Sequence, residues 1–523
     1  MQFFRGLPLG QVRLTHVLMV KTQSAVAAGH ELTAQAAAEI LQDGGNAFDA
    51  AVAGALMTFV AEAVFASPGG GGFLMARRAG RSDAALFDFF TETPRRRRSP
   101  SEVQFFPIYA DFGPAKQEFH IGLGSSAVPG AVAGLFAVHE ALGTLPMRRL
   151  AEPAVRAARA GFPLTAFQAY LFTVIAPILT ASHGVAAIFA PAGKLLEAGQ
   201  TFRNEGLADT LEWLAEDGAR LFVDGDVGQA IAEQSRTLGG HLTSDDLKHY
   251  RVELREPLHW RHAGAAVALN PPPAASGALI AFGLAYLEAL TERGRAIDAA
   301  ALREAMEATN AARATHGEGL AARLAGGVIA QELREAQAHP PAYRGTTHVS
   351  VIDGDGNAAA ISLSNGEGNG FIVGNFGFML NNMLGEDDLG PLDAWREGAR
   401  MSSMMAPTVI LAPDGTVTVL GTGGSNRIRT AILQVTVNLL DHGMDLERAV
   451  EAPRLHVERG GKVSFEPGLP DGAEASLLAS APEAHAWPAR NLFFGGVHAA
   501  RRHANGGVEG AGDPRRQGTA LVI

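Results

Sequence analysis

The sequence predicts a mixed α/β protein in which a helix-rich front leads into a strand-rich back. Two observations carry that expectation. Between residues 130 and 240, alanine and leucine recur at helical spacing. From residue 346 onward, short β-branched runs alternate with turn dipeptides. A third observation bounds the size: 523 residues, with 47% apolar and 19% charged side chains, suffice for a large layered core.

The elements follow in chain order. MQFFRGLPLGQVRLTHVLMV at the start is broken by Arg13 and His16 and makes a poor export signal. Residues 1–24 read as a tail outside the fold, with Met19 an alternative start. This favours a cytoplasmic protein and leaves a periplasmic or secreted one open. From Leu32 to Ala63 the spacing predicts two helices. Thr33 caps the first and Gly44-Gly45 stop it. Asn46 caps the second, with Asp49 in an approximate capping box. The four glycines of SPGGGGFLM, residues 67–75, lack the Gly-Lys-Ser/Thr of a phosphate loop, so they predict close backbone packing before a strand from Phe73 to Ala76. Residues 265–270 form a short strand ended by Pro271, Pro272 and Pro273, and residues 276–338 are helical. Strands then run over Thr347–Asp353, Ala358–Leu363, Thr408–Leu411 and Thr416–Leu420. The turns Asp353-Gly-Asp-Gly-Asn357 and Pro413-Asp-Gly415 join them.

Composition excludes several classes of function. With no cysteine there is no disulfide, thiolate metal site or cysteine nucleophile. A net charge of −11 gives no general attraction to nucleic acid or an anionic membrane surface, and no run of 18 apolar residues spans a membrane. The basic run Arg95 to Arg98 reads as a solvated loop. The Asp353 loop fails as a calcium site, because Ala358 and Ser364 stand where glycine and glutamate are required. His259 and His262 have metal spacing, but on a strand they face opposite sides and read as surface histidines. No metal site is expected.

One stretch carries chemistry: RGTTHVSVID, residues 344–353, where two threonines follow a glycine at the start of a strand. It is either a loop entering a strand or a cutting site. A threonine hydroxyl is a weak nucleophile without a neighbouring base. If the chain were cut between Gly345 and Thr346, the freed α-amino group, with an ordinary pKa of about 7.7–8.0, would be that base. Before the cut the same hydroxyl could attack the Gly345 carbonyl in an N→O acyl shift. Attack on an amide also needs donors for the oxyanion, and Leu420-Gly-Thr-Gly-Gly-Ser-Asn426 offers adjacent N–H groups at Gly423 and Gly424.

Together with ILQDGGNAFDAAVA (40–53), SPGGGGF (67–73), AVPGAVAG (127–134) and ARAGFPL (158–164), these residues resemble the γ-glutamyltransferase family of N-terminal-nucleophile hydrolases. NPPPAASG (270–277), TTHVSV (346–351), GNGFIV and LNN (368–382), MSSMMAPT (401–408), GTGGSNR (421–427), APRLH (452–456) and GDPRRQG (512–518) extend the likeness from about Ala25 to the C-terminus. The resemblance implies a four-layer αββα sandwich that cuts itself into a large subunit, 25–345, and a small one, 346–523. It implies Thr346 as nucleophile, Ser364 as the hydroxyl that assists processing, and Gly423 and Gly424 as the oxyanion hole. Ser402 and Ser403 match the serine pair that binds the donor carboxylate, although a serine pair before a strand is also ordinary turn material. Asn365 is a loose match for an asparagine of the donor site. No cofactor is implied. The partners are an amide substrate and either water or an amine acceptor.

The departures bear on the substrate. Phe90 stands where the family has the arginine that grips the glutamyl carboxylate, and Met383 and Glu386 stand where glutamine and aspartate hold the amino group. A charge-assisted contact contributes about 1.5–3 kcal/mol, so losing the arginine lowers the preference for a glutamyl donor roughly tenfold to a hundredfold. An arginine of 95–98 folding back over the site is the substitute to look for. The loop from Met383 to Ser402 is short, which implies a reduced lid. The leading expectation is an amide hydrolase or acyltransferase acting on γ-glutamyl amides such as glutathione. The alternatives are an acylase of the same fold taking a less polar acyl group, and an unprocessed homologue that binds without catalysis.

Overall fold

Every residue of the strand Thr347–Ile352 is buried, so the strand must be covered on both faces. The computed structural model shows how. It describes residues 23–111, 116–316, 320, 345–385, 395–481 and 483–523. Thr347–Ile352 lies near the middle of a seven-stranded antiparallel sheet, in the order Thr519–Val522, Ala25–Ala28, Thr347–Ile352, Ala358–Ser364, Gly71–Arg77, Ala85–Phe89 and Glu253–Arg255. Val349 and Val351 point to one face, against the helices Glu31–Gln42 and Ala47–Ala61. Ile352, Ala358 and Ala360 join the core on the other face. Burying one such aliphatic side chain contributes about 1.5–3 kcal/mol, which pins the register, since a one-residue slip would reverse both faces.

That other face meets a second antiparallel sheet, ordered Val508–Gly512, Gly496–Arg502, Val417–Gly423, Thr408–Leu411, Ala265–Leu269 and Leu258–His262. Helices Ser276–Glu292 and Arg427–Leu440 cover its outside. The four layers are therefore helix, sheet, sheet, helix, as the resemblance implies. Between the sheets runs a polar seam. His348 bonds Ser362 and Ser350 at 2.8 and 2.9 Å, and Ser350 donates to the carbonyls of Val419 and His498 at 3.2 and 3.1 Å.

The capping box at Asn46 and Asp49 forms as expected, and the Asp353 turn closes its hairpin while also accepting the Ala47 N–H at 2.9 Å. The glycine run packs backbone on backbone: a Cβ on Gly70 or Gly72 would sit 2.3 Å from the carbonyl oxygen of Ser364 or Ser362. Four expectations need correction. The first helix is capped by His30, which accepts the Leu32 N–H at 3.1 Å, and Thr33 inside it turns instead to Glu62. The helical stretch after Ser276 breaks at Gly294, whose φ of 77° leaves the helix, and resumes at Ala299–His316; its expected remainder to 338 falls largely outside the described residues. The strand expected to end at Leu420 continues to Gly423, because Gly421, Thr422 and Gly423 keep pairing with His498, Val497 and Gly496. His262 is buried and bonds Asp441 at 2.8 Å, leaving only His259 of the two as a surface histidine.

Candidate active site at the head of the central strand

Thr346 sits one residue before the first ladder pair, Thr347 with Leu363. Gly345 and Thr346 are both buried. The Gly345 carbonyl accepts a hydrogen bond from the Ser364 hydroxyl at 2.6 Å, and the Gly345 N–H donates to Glu367 at 3.0 Å. Residue 345 has to be glycine here: a Cβ would lie 2.3 Å from the Gly366 carbonyl oxygen and 2.9 Å from that of Val64. A hydroxyl donating to a carbonyl polarises it toward attack, which is what an acyl shift at this peptide needs.

The loop 421–427 approaches from the second sheet. Gly423 lies so close that a Cβ on it would be 2.0 Å from the Thr346 carbonyl oxygen. Gly424 follows with φ 129°, a conformation side chains rarely adopt, and Ser425 takes φ 54° before the helix Arg427–Leu440 begins. The structure thus gathers Gly345, Thr346, Ser364, Gly423 and Gly424 at one point. A cavity opens there, lined by Gly345, Gly424, Glu367 and Arg516 and otherwise by apolar side chains, among them Phe65, Leu171, Val174 and Phe493.

The other residues singled out from the sequence lie off the cavity itself, although the Asn365 N–H donates to the carbonyl of Phe65, which lines it, at 3.0 Å. Phe90 is near in register, because Gly71 pairs with Ser364 and its Cβ position is 3.1 Å from the Phe90 backbone. Its ring, however, is 1% exposed and stacks on Phe73 at 5.5 Å within the core that also holds Met383. Ser403 accepts the Met405 N–H at 3.1 Å, Ser402 is half-buried, and Asn365 accepts from Ser67 at 2.9 Å. None of these five lines the cavity beside Gly345. Glu386 and the middle of the Met383–Ser402 loop lie outside the described residues. Two arginines of the basic run are engaged away from Phe90: Arg98 donates to the carbonyls of Ser235, Arg236 and Gly240, and Arg97 stacks over Trp395 at 5.4 Å. Instead Arg400, 4% exposed, reaches the Phe90 carbonyl, where Glu92 at 3.2 Å and Asp88 at 3.6 Å surround it.

A gamma-glutamyltranspeptidase family model matches residues 33–523. The chain belongs to the gamma-glutamyltranspeptidase family. It is an enzyme of the N-terminal-nucleophile class, and the αββα layers are the fold of that class. Its relatives include the acylase ACY 1 proenzyme of Pseudomonas sp. (strain V22), 30% identical across 95% of this chain and 93% of that protein. The glutathione hydrolase proenzyme of Escherichia coli (strain K12) is 30% identical across 84% of this chain and 81% of its own length. Among solved structures, a cephalosporin acylase from Bacillus halodurans shares the fold with a TM-score of 0.81, at 24% identity over 96% of both chains.

Sequence reasoning passed over three charged side chains of this family member's site. Glu62, 6% exposed, takes hydrogen bonds from Thr347 at 2.5 Å and Thr33 at 2.8 Å, and burial pushes its carboxyl up to about 7. Arg516 donates to the Thr346 carbonyl at 3.0 Å. Glu367 holds Gly345 as described. A lone glutamate inside the apolar run FVAEAVFA was the signal that could have exposed Glu62.

Proposed function

We propose that the chain is an autoprocessing threonine amide hydrolase: Thr346 attacks the Gly345 carbonyl, the chain parts into residues 1–345 and 346–523, and the freed threonine then cleaves an external amide. The observation that carries this reading is the Ser364 hydroxyl on the Gly345 carbonyl at 2.6 Å, beside the two glycines of the 421–427 loop. In the first step the Thr346 Oγ1–carbonyl bond forms, the Gly345–Thr346 C–N bond breaks, and the nitrogen takes the hydroxyl proton. Water then hydrolyses the ester, leaving a carboxylate on Gly345. In turnover the α-amino group takes the hydroxyl proton, the substrate amide gives an acyl-enzyme and an amine, and water or an acceptor amine releases the acyl group.

For the acyl group, the apolar walls around Gly345 and Gly424 support a less polar acyl chain over a γ-glutamyl one. The relative named an acylase leaves room for an acyl group other than γ-glutamyl. The second reading, a γ-glutamyl donor, rests on the Arg516 and Glu367 charges in the same cavity and on the glutathione hydrolase relative. Intact mass of native and Thr346→Ala protein, with hydrolysis of hexanoyl and γ-glutamyl p-nitroanilide, tests both. The expected result is two fragments only for the native protein and faster release from the hexanoyl substrate. A cut elsewhere, or full activity in Thr346→Ala, would end the nucleophile assignment, and faster γ-glutamyl release would reverse the substrate order.

A further inference from the structure

We propose that Glu62 and Arg516 are paired positioning residues that clamp the backbone at residue 346 and set the field around the α-amino group that cutting exposes. The proposal rests on Thr346 being the nucleophile.

Glu62 ends the helix Ala47–Ala61, a place where an apolar residue would cost nothing to bury. Its carboxylate is fully used: one oxygen accepts from Thr33 and the other from Thr347. Gly29 leaves room for it, since a Cβ there would lie 2.6 Å from that second oxygen. Arg516 comes from the opposite end of the chain, is 5% exposed, lies over the Phe65 ring at 5.3 Å and donates to the Thr346 carbonyl. Residue 346 is thus held through its carbonyl and residue 347 through its side chain. Because Thr346 precedes the first ladder pair, cutting removes its covalent tether on one side, and the clamp is what then fixes the new terminus.

The charges also act on that terminus. The histidines nearby, His498 and His348, are kept neutral by burial, His498 with a pKa lowered to about 4 and His348 well below its ordinary value; burial lowers His30 too. Glu367 faces Gly345, while Asp513 and Arg427 face Arg516. Glu62 and Arg516 attract each other, burial bringing the arginine down to about 10. An anion beside an ammonium raises its pKa and a cation lowers it.

The test uses the full-length chain with Glu62→Gln, Arg516→Gln, Arg516→Lys and Thr346→Ala. It follows the rate of self-cleavage and, with whichever of the two anilides the native protein hydrolyses faster, kcat and KM against pH. Glu62→Gln and Arg516→Gln should each lower kcat at least about tenfold with KM within about twofold, because positioning acts on the reacting step. The acid limb of kcat should move by about half a pH unit down in Glu62→Gln and up in Arg516→Gln, opposite charges shifting one amine in opposite directions. Arg516→Lys should recover most of the loss. Limbs that stay put or move together, or a KM effect with kcat intact, would overturn the pairing. If a Gln variant does not fold, Glu62→Asp, which keeps the charge but shortens the reach to Thr347, carries the positioning test, with slowed self-cleavage as the readout that needs no substrate and native cutting as the result that rejects the clamp. Native behaviour in both Gln variants beside an inert Thr346→Ala rejects only the clamp; an active Thr346→Ala rejects the nucleophile itself.

Discussion

The Ser364 hydroxyl donates to the Gly345 carbonyl at 2.6 Å, across 19 residues of chain. That bond ties the end of the strand Ala358–Ser364 to the start of its neighbour, at the peptide whose cutting would make Thr346 a terminus. It polarises that carbonyl toward attack.

Removing that donor should slow maturation. Losing one oxyanion donor typically costs about 2.7–4 kcal/mol, so Ser364→Ala is expected to cut at least about a hundredfold more slowly than the native chain, with Ser364→Thr close to native. Intact mass against time, from freshly purified precursor, measures it. Native cutting kinetics in Ser364→Ala would show that the bond is structural only.

The two glycines should fail in different ways. Gly423→Ala forces a Cβ to within 2.0 Å of the Thr346 carbonyl oxygen, so the strand must shift; the expected result is a lower melting temperature and little cutting. In Gly424→Val the Cβ comes no closer than 3.1 Å to its neighbours, but the residue must adopt φ 129°. It should fold, cut slowly and turn over at least about a hundredfold more slowly, on the scale of a lost oxyanion donor. Full turnover in a correctly cut Gly424→Val protein would move the oxyanion donors elsewhere.

Restoring the family's arginine at position 90 should not create a γ-glutamyl enzyme. Phe90 stacks on Phe73 inside the core between the sheets, and Arg400 with its carboxylates already occupies the space at the Phe90 carbonyl. Phe90→Arg would bury an unpaired charge, a class of change that costs about 3 kcal/mol or more. Thermal melting should show the loss. A stable variant with improved γ-glutamyl turnover would mean that the ring faces substrate.

Stability should carry the signature of Glu62. Its folded pKa of about 7 lies above the ordinary carboxyl value of 4.5, so the folded state holds the proton more tightly. The resulting stabilisation is full below about pH 4.5 and is lost as pH rises through 7. Relative to Glu62→Gln, the native protein should therefore lose up to about 3 kcal/mol between pH 4.5 and 8. Urea unfolding across that range measures the difference, and a pH-independent gap between the two proteins would show that Glu62 does not titrate there.

Much of the site was legible along the chain. The Gly345–Thr346 step, the glycine run before Phe73, and the Gly423–Gly424 pair are short motifs whose chemistry depends on adjacent residues, and the fold class followed from the motifs taken in order. Turn and cap residues such as Asn46 and Asp353 also act within a few positions of themselves, so local physics suffices to place them. Tertiary structure decided the rest. Glu62 and Thr347 meet across 285 residues and Arg516 and Thr346 across 170, distances over which spacing carries no signal. By likeness to the family the sequence put Phe90 where an arginine is expected, just after the strand Ala85–Phe89, but only packing between the two sheets turned its ring into the core. A motif determines which atoms are available; which of them face the reacting carbonyl depends on surfaces brought together from distant parts of the chain.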